Sequence, residues 1–194
     1  MKCRKCGQPA VINMRRHKLA LCAPCYLDWL PAQAQKAMER FQMFPPGERI
    51  LVAVSGGKDS LSLWDMLLRL GYPADGVYVN LGIGHGDYSG QSLAYIHQFV
   101  AAREQEGMAL TLHVVDIKAL YGYTVPELVA ERRGRKACSL CGLIKRHEMN
   151  RVAYEGSYAA LATGHNLDDE AATLLSNILH WGTGYLGRQG PVLP

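Results

Sequence analysis

The sequence predicts an α/β fold: an open parallel sheet with crossover helices, preceded by a small cysteine-rich unit. Three observations predict it. From Ile50 onward, short apolar runs alternate with longer helical stretches; a glycine-rich turn follows the first run; and two Cys-x-x-Cys pairs precede them all. A chain of 194 residues can hold one such core with a small appendage. With 48% hydrophobic and 20% charged residues it reads as globular rather than disordered, and no stretch approaches the length of a membrane span. The start, Met1-Lys2-Cys3-Arg4-Lys5-Cys6-Gly7, has no apolar run behind its basic residues, so a secretory signal is not expected and a cytoplasmic location is.

Residues 1–27 carry Cys3-x-x-Cys6 and Cys22-x-x-Cys25 with few core-forming side chains, so this piece is expected to fold around a metal. Two such knuckles suit a tetrahedral Zn²⁺, and four thiolates leave it no open position, which makes the predicted zinc ribbon structural. All six cysteines fall in Cys-x-x-Cys pairs, a pattern that fits metal chemistry in a reducing compartment better than a disulfide framework. Residues 28–46 form the expected linker helix. Leu27, Leu30, Ala34, Ala37, Met38 and Phe41 recur at helical spacing from Pro24 to Phe44, until Pro45-Pro46-Gly47 stops the helix. Residues 47–194 are then the α/β domain.

Strands are expected near residues 50–54, 76–80, 110–115 and 159–163, each a continuous apolar run as in a sheet covered on both faces. Helices are expected near 60–70, 91–106, 140–155 and 168–180, and no internal repeat beyond the duplicated knuckle is visible. From Trp181 to Pro194 the chain reads as loop that closes no element, so the domain is expected to be incomplete at its C-terminus.

Ser55-Gly56-Gly57-Lys58-Asp59-Ser60 follows a buried strand and opens a helix, where backbone N–H groups and the helix dipole converge on one anion-sized spot. Gly56 and Gly57 let the backbone approach a phosphate, the Ser55 and Ser60 hydroxyls can donate to it, and Lys58 adds charge. Asp59 is expected to orient the loop or hold Mg²⁺. The four-residue spacer of G-x-x-x-x-G-K-[ST] is missing, so release of pyrophosphate is expected rather than γ-phosphate hydrolysis.

Cys138-Ser139-Leu140-Cys141 offers two thiolates, too few for a zinc ion or an iron–sulfur cluster without further ligands. Cys141 and Lys145 lie one helical turn apart, so a thiolate or its metal would sit near an ammonium group. A structural or redox pair is the alternative. Gly164-His165-Asn166-Leu167-Asp168-Asp169-Glu170 follows the last strand at the carboxyl edge, where open α/β sheets bind ligands. Asp168 and Asp169 either cap the helix or serve Mg²⁺ and acid–base work, and His165 alone carries no catalytic assignment. Two basic clusters, Arg15-Arg16-His17-Lys18 and Arg132-Arg133-Gly134-Arg135-Lys136, adjoin the cysteine pairs and read as solvated faces or phosphate contacts.

The double knuckle, the Ser55–Ser60 turn, Cys138-Ser139-Leu140-Cys141-Gly142 and the run from Gly164 to Ala172 together make the chain resemble the tRNA 2-thiouridine synthetases of the TtuA kind, in the PP-loop ATPase superfamily. The resemblance covers essentially the whole chain. It implies an enzyme in which ATP adenylates the C2 oxygen of a tRNA uridine, favouring the T-loop position, after which sulfur displaces AMP. It places Ala53, Asn80, Leu81 and Gly164 beside the adenosine, and makes Lys145 and Asp169, with Asp59, the catalytic residues. It also implies a [4Fe–4S] cluster on three cysteines, of which Cys138 and Cys141 match two and the third falls after Pro194. The sulfur donor would be a ubiquitin-like carrier protein bearing a thiocarboxylate, and a homodimer is one assembly to expect. The alternatives are a two-thiocytidine or wobble-uridine thiolase, an amidating or lysidine-forming ligase of the same superfamily, and a non-catalytic zinc-ribbon RNA-binding module.

Overall fold

The computed structural model describes residues 1–45, 47–84, 88–131, 137–187 and 190–192. It contains two compact units, Met1–Met43 and Phe44–Pro194. The basic cluster at 132–136 lies outside the described residues.

The first unit is a two-stranded antiparallel hairpin, β1 (Ile12–Met14) and β2 (Leu19–Leu21), followed by helix α1 (Ala23–Arg40). Leu21, Cys3 and Cys22 are its buried centre, ringed by Ile12, Met14, Leu19, Tyr26 and Trp29. So little apolar burial cannot by itself order a unit of this size. Pro24 lies in the first turn of α1, where its missing N–H costs nothing. The expected helix is present, but Leu27, placed on its apolar stripe by spacing, is exposed.

In the second unit the elements run β3 (Ile50–Ala53), α2 (Lys58–Arg69), β4 (Ala74–Asn80), α3 (Tyr88–Gln105), β5 (Leu112–Asp116), α4 (Ile117–Tyr121), α5 (Val125–Glu131), α6 (Ala137–Glu155), β6 (Ala160–Thr163), α7 (Leu167–Leu179) and α8 (Thr183–Leu186). The sheet order is β5-β4-β3-β6, all parallel. Ile50, Leu51 and Val52 are fully buried because β3 lies in the middle with both faces covered. One face carries α2 and α3. Trp64 lies there against Phe99, donates its indole N–H to the Ala74 carbonyl at 2.8 Å, and fits only because residue 76 is glycine: a Cβ there would come within 2.5 Å of the indole. The other face carries Leu51, Val77, Val79 and Val115 against Ile144, Met149 and Val152 of α6.

The four strands fall where the sequence predicts them. The segment after β5 differs: it forms two short helices, α4 and α5, rather than connecting loop. Asp116 caps α4 by accepting the Ala119 N–H at 2.9 Å, and Gly122, in the left-handed region at φ 80°, ends it. The tail also contains α8, which the loop reading missed. Among the described residues no strand pairs with the outer edge of β6, and α7 has no buried residue.

The chain leaves β3 toward β4 on one side and returns to β6 on the other. That reversal opens a crevice at the carboxyl ends of β3 and β6, the position where parallel sheets take ligands.

Candidate functional site

A cavity of about 290 Å³ fills the crevice. The turn after β3 forms its floor. Gly56 takes φ +78°, open to glycine, and passes so close to α3 that a Cβ would lie 2.6 Å from the Ser92 carbonyl oxygen. Ser60, buried, donates its hydroxyl to the Gly57 carbonyl at 3.0 Å and accepts the Ser55 N–H at 3.2 Å, so it fixes the turn's shape. Gly57 is the N-cap of α2 and no side chain caps that helix among the described residues. The N–H groups of the first turn are therefore available to an anion, reinforced by the helix dipole.

Lys58 is exposed and pairs with Asp59 at 2.9 Å. A pair this open to water contributes little, so the ammonium can turn toward a phosphate at small cost. Gly164, after β6, backs the turn from the other side: a Cβ there would stand 2.8 Å from Ser60 Cα and 2.9 Å from Ser60 N. Lys145 reaches the cavity from α6, and among the described residues no carboxylate lies within ion-pair distance of it. Ala53, Ser55, Gly57, Asp59, Ser60 and Leu81 also face the cavity, with Gly164.

Four expected nucleotide-binding or catalytic residues are outside the cavity lining: Gly56 and Lys58, which belong to the turn itself, and Asn80 and Asp169. Asn80 uses its whole amide to shape the loop after β4, donating to Asp116 Oδ2 at 3.0 Å and accepting the Gly82 N–H at 3.0 Å. Asp169 closes a capping box on α7: its carboxylate accepts the Asn166 N–H at 3.0 Å while Asn166 Oδ1 accepts the N–H groups of Asp168 and Asp169. The sequence reading passed over Tyr78 and Ser92 and gave His165 no catalytic assignment; all three line the cavity. The signal for Ser92 was its position opposite a glycine, which needs the pairing of α3 with the turn before it can be read.

Cys138 is exposed and Cys141 half-buried on α6. Cys141 lines a second, apolar cavity of about 360 Å³ with Ile83, Val125, Pro126, Val129 and Ala130. Since α6 packs against β4 and β6, the strands flanking β3, the cysteine pair lies on the same helix that brings Lys145 to the phosphate turn. The two thiols fall short of a cluster's ligand count, and among the described residues no third cysteine, histidine or carboxylate completes a metal group with them.

In the ribbon, Cys3, Cys6, Cys22 and Cys25 bring four Sγ atoms within 4.8 Å of one another, with Cys6 and Cys22 at 3.5 Å. A tetrahedron of thiolates at about 2.3 Å from a metal has edges of about 3.8 Å, so the donor set fits a thiolate-bound cation. The thiols oppose one another's ionisation. Contact with Cys22 and Cys6, together with burial, pushes the Cys25 thiol up to about 12. For Cys3 burial works upward, but N–H groups around it outweigh this and bring the thiol down to about 6. Residues 1–27 also hold six basic residues (Lys2, Arg4, Lys5, Arg15, Arg16, Lys18) and no acidic one, against a net charge of +4 for the whole chain. The remainder is thus slightly acidic, and the basic character belongs to the ribbon.

Fold and site together define a PP-loop-type parallel α/β domain preceded by a four-cysteine unit. Residues 2–27 match the family described as 2-thiouridine synthetase TtuA, N-terminal LIM domain. Over all 194 residues the chain is 54% identical to the tRNA-5-methyluridine(54) 2-sulfurtransferase of Thermus thermophilus, spanning 58% of it, and 42% identical to that of Pyrococcus horikoshii, spanning 59%. Its structure is similar to that of the U34-tRNA thiolase NcsA from Methanococcus maripaludis, solved with its [4Fe–4S] cluster: TM-score 0.77, 29% identity, covering 93% of this chain and 59% of that one. The chain is therefore a relative, along its whole length, of the tRNA 2-sulfurtransferases of the TtuA kind, as its motifs led us to expect. It spans about three fifths of the curated relatives it matches.

Proposed function

We propose that the chain carries the activating portion of an ATP-dependent tRNA 2-sulfurtransferase. The observation that carries this reading is the convergence on one cavity of an uncapped helix N-terminus, the ammonium group of Lys145 and the carboxyl end of β6, with Cys141 one turn from Lys145 on α6. The C2 oxygen of a tRNA uridine attacks the α-phosphorus of ATP and pyrophosphate leaves. A sulfide equivalent then adds at C2, and AMP departs with the original oxygen, leaving 2-thiouridine.

The first-turn amides of α2 hold the pyrophosphate from fixed positions as charge builds on it, and Lys58 turns from Asp59 to add its charge. Lys145 stabilises the α-phosphate, Asp59 binds Mg²⁺ or orients Lys58, and Ala53, Leu81 and Gly164 border the adenosine. Asn80 shapes the adenosine wall from behind. Asp169 acts by holding the α7 cap beside the cavity, with direct catalysis reserved for a rearranged complex. Cys3, Cys6, Cys22 and Cys25 would hold Zn²⁺, and their four thiolates around it would order the unit. Cys138 and Cys141 would supply two ligands for a [4Fe–4S] cluster, which when bound would supply iron chemistry for sulfide. The T-loop uridine is favoured because the relatives acting at position 54 are the more similar. A ubiquitin-like carrier delivers the sulfur.

The experiment is anaerobic nucleoside analysis of tRNA treated with the full-length protein. Cys138→Ala and Cys141→Ala are expected to abolish 2-thiouridine while tRNA-dependent AMP formation persists; retained thiolation would overturn the reading. Lys58→Ala is expected to cut AMP formation, by less than the roughly 10²–10³-fold that loss of a preorganised donor costs, because the ammonium must first turn from Asp59.

A further inference from the structure

Ile83 belongs to the walls of both cavities: the one at the phosphate turn and the one lined by Cys141. It is half-buried and packs on the same apolar cluster as Cys141, Val125 and Val129. Its backbone is held on every side. Gly82 takes φ +70° and presses on Thr124, so that a Cβ there would lie 2.4 Å from the Thr124 methyl carbon. Leu81 O accepts the Val125 N–H at 2.9 Å, Gly82 N–H goes to Asn80 Oδ1 at 3.0 Å, and Ile83 N–H goes to Ser89 Oγ at 3.2 Å. A short loop fixed by four independent contacts presents one branched apolar side chain at a set position.

The chemistry of the proposed reaction makes that position consequential. Once C2 is adenylated, any nucleophile that reaches it expels AMP. Sulfide gives 2-thiouridine, whereas water gives back uridine, so that ATP and water yield only AMP and pyrophosphate. On the reading above, sulfur arrives from the Cys141 side, and the second cavity is walled by Ile83, Val125, Pro126, Val129 and Ala130 with almost no polar lining. An apolar wall gives water no hydrogen-bonding partner on that side of the activated carbonyl.

We propose that Ile83 is the partition that selects sulfur over water at the activated carbonyl. The inference rests on the thiolase reading, and makes Ile83 a specificity-determining residue shared by the walls of both cavities.

The test uses full-length protein with tRNA, ATP and sodium sulfide under anaerobic conditions, measuring AMP released per 2-thiouridine formed. Ile83→Val and Ile83→Thr have nearly the same shape, but only threonine offers water a partner. Threonine is expected to raise the ratio several-fold over valine, with nucleotide affinity and melting temperature alike in the two. A second readout needs no loaded cluster: in cluster-free protein without sulfide, tRNA-dependent AMP release is expected to be several-fold faster for Ile83→Thr than for Ile83→Val. Equal ratios and equal AMP release in the two variants would overturn the partition while leaving the thiolase reading intact. Wild-type protein that forms neither tRNA-dependent AMP nor 2-thiouridine would instead overturn the thiolase reading and this inference with it. Should Ile83→Thr fail to fold, Ile83→Ala opens the same wall by truncation and is read against Ile83→Val in the same way.

Discussion

Gly164 shows how tightly a single residue constrains the phosphate turn. The atoms a Cβ would meet there are the backbone of Ser60, at the start of α2, and backbone cannot swing aside as a flexible side chain can. Gly164→Ala is therefore expected to cost about 1–3 kcal/mol of stability, the range for overpacking, and to weaken nucleotide binding by displacing the first turn of α2. Chemical denaturation and titration with a nucleotide analogue would check both effects. At the opposite end of the sheet, Asp75 on β4 accepts from Arg49 at 2.8 Å, from the Tyr158 hydroxyl at 2.8 Å and from the Thr111 N–H at 2.7 Å. Burial works to raise its carboxyl, but these donors outweigh burial and hold it below the usual carboxylate range. A depressed folded value means stability that is complete above the unfolded value of about 3.9 and lost as pH falls through the lower folded one. Asp75→Asn is expected to destabilise by about 1–3 kcal/mol at neutral pH. The gap between variant and wild type, followed by denaturation at a series of pH values, should close in acid. None of this cluster was legible beforehand, since Tyr158 and Asp75 are 83 residues apart and meet only when β4 is in place.

Among the elements, α6 links the most chemistry. Cys138, Cys141 and Lys145 lie toward its N-terminal half, and Glu148 anchors it further on. That carboxylate is fully buried, accepts the Tyr121 hydroxyl at 2.6 Å, and takes two bonds from Arg151 at 2.9 and 2.8 Å. Burial pushes its carboxyl upward, but Tyr121 and Arg151 outweigh that and lower it. Removing the carboxylate breaks the hydrogen bond that ties Tyr121 of α4 to α6. Glu148→Ala is expected to destabilise by about 1–3 kcal/mol and to speed amide hydrogen exchange in α6 more than in β3, a contrast that exchange mass spectrometry would detect. The sequence revealed α6, the four strands and the turn into α2 because each has a long or strongly patterned signal. It concealed α4 and α5, which are five and seven residues long and too brief to display a period. The two roles left open for Asp169 could not be separated from spacing alone, because capping and metal binding both call for a carboxylate at the start of α7. The structure shows it closing the cap.

At the scale of the whole chain, the ribbon's four-cysteine group could be read from its spacing, whereas its concentrated positive charge was diluted in the overall net charge. The placement of the cavity follows from strand order: once β6 lies beside β3, the Gly164 loop and the phosphate turn must share one edge. The same order leaves an uncovered border. The outer edge of β6 carries no partner strand among the described residues, and in the following helix, α7, Leu174, Leu175, Ile178 and Leu179 stand open to solvent, with Trp181 just beyond. Bare hydrogen-bonding edges and contiguous greasy surface are what make proteins stick to themselves. The 194-residue chain in isolation is accordingly expected to self-associate as its concentration rises, and Leu175→Glu combined with Ile178→Glu to restore a monodisperse solution. Light scattering over a dilution series would reveal whether colloidal behaviour, rather than catalytic competence, is the first obstacle to handling it.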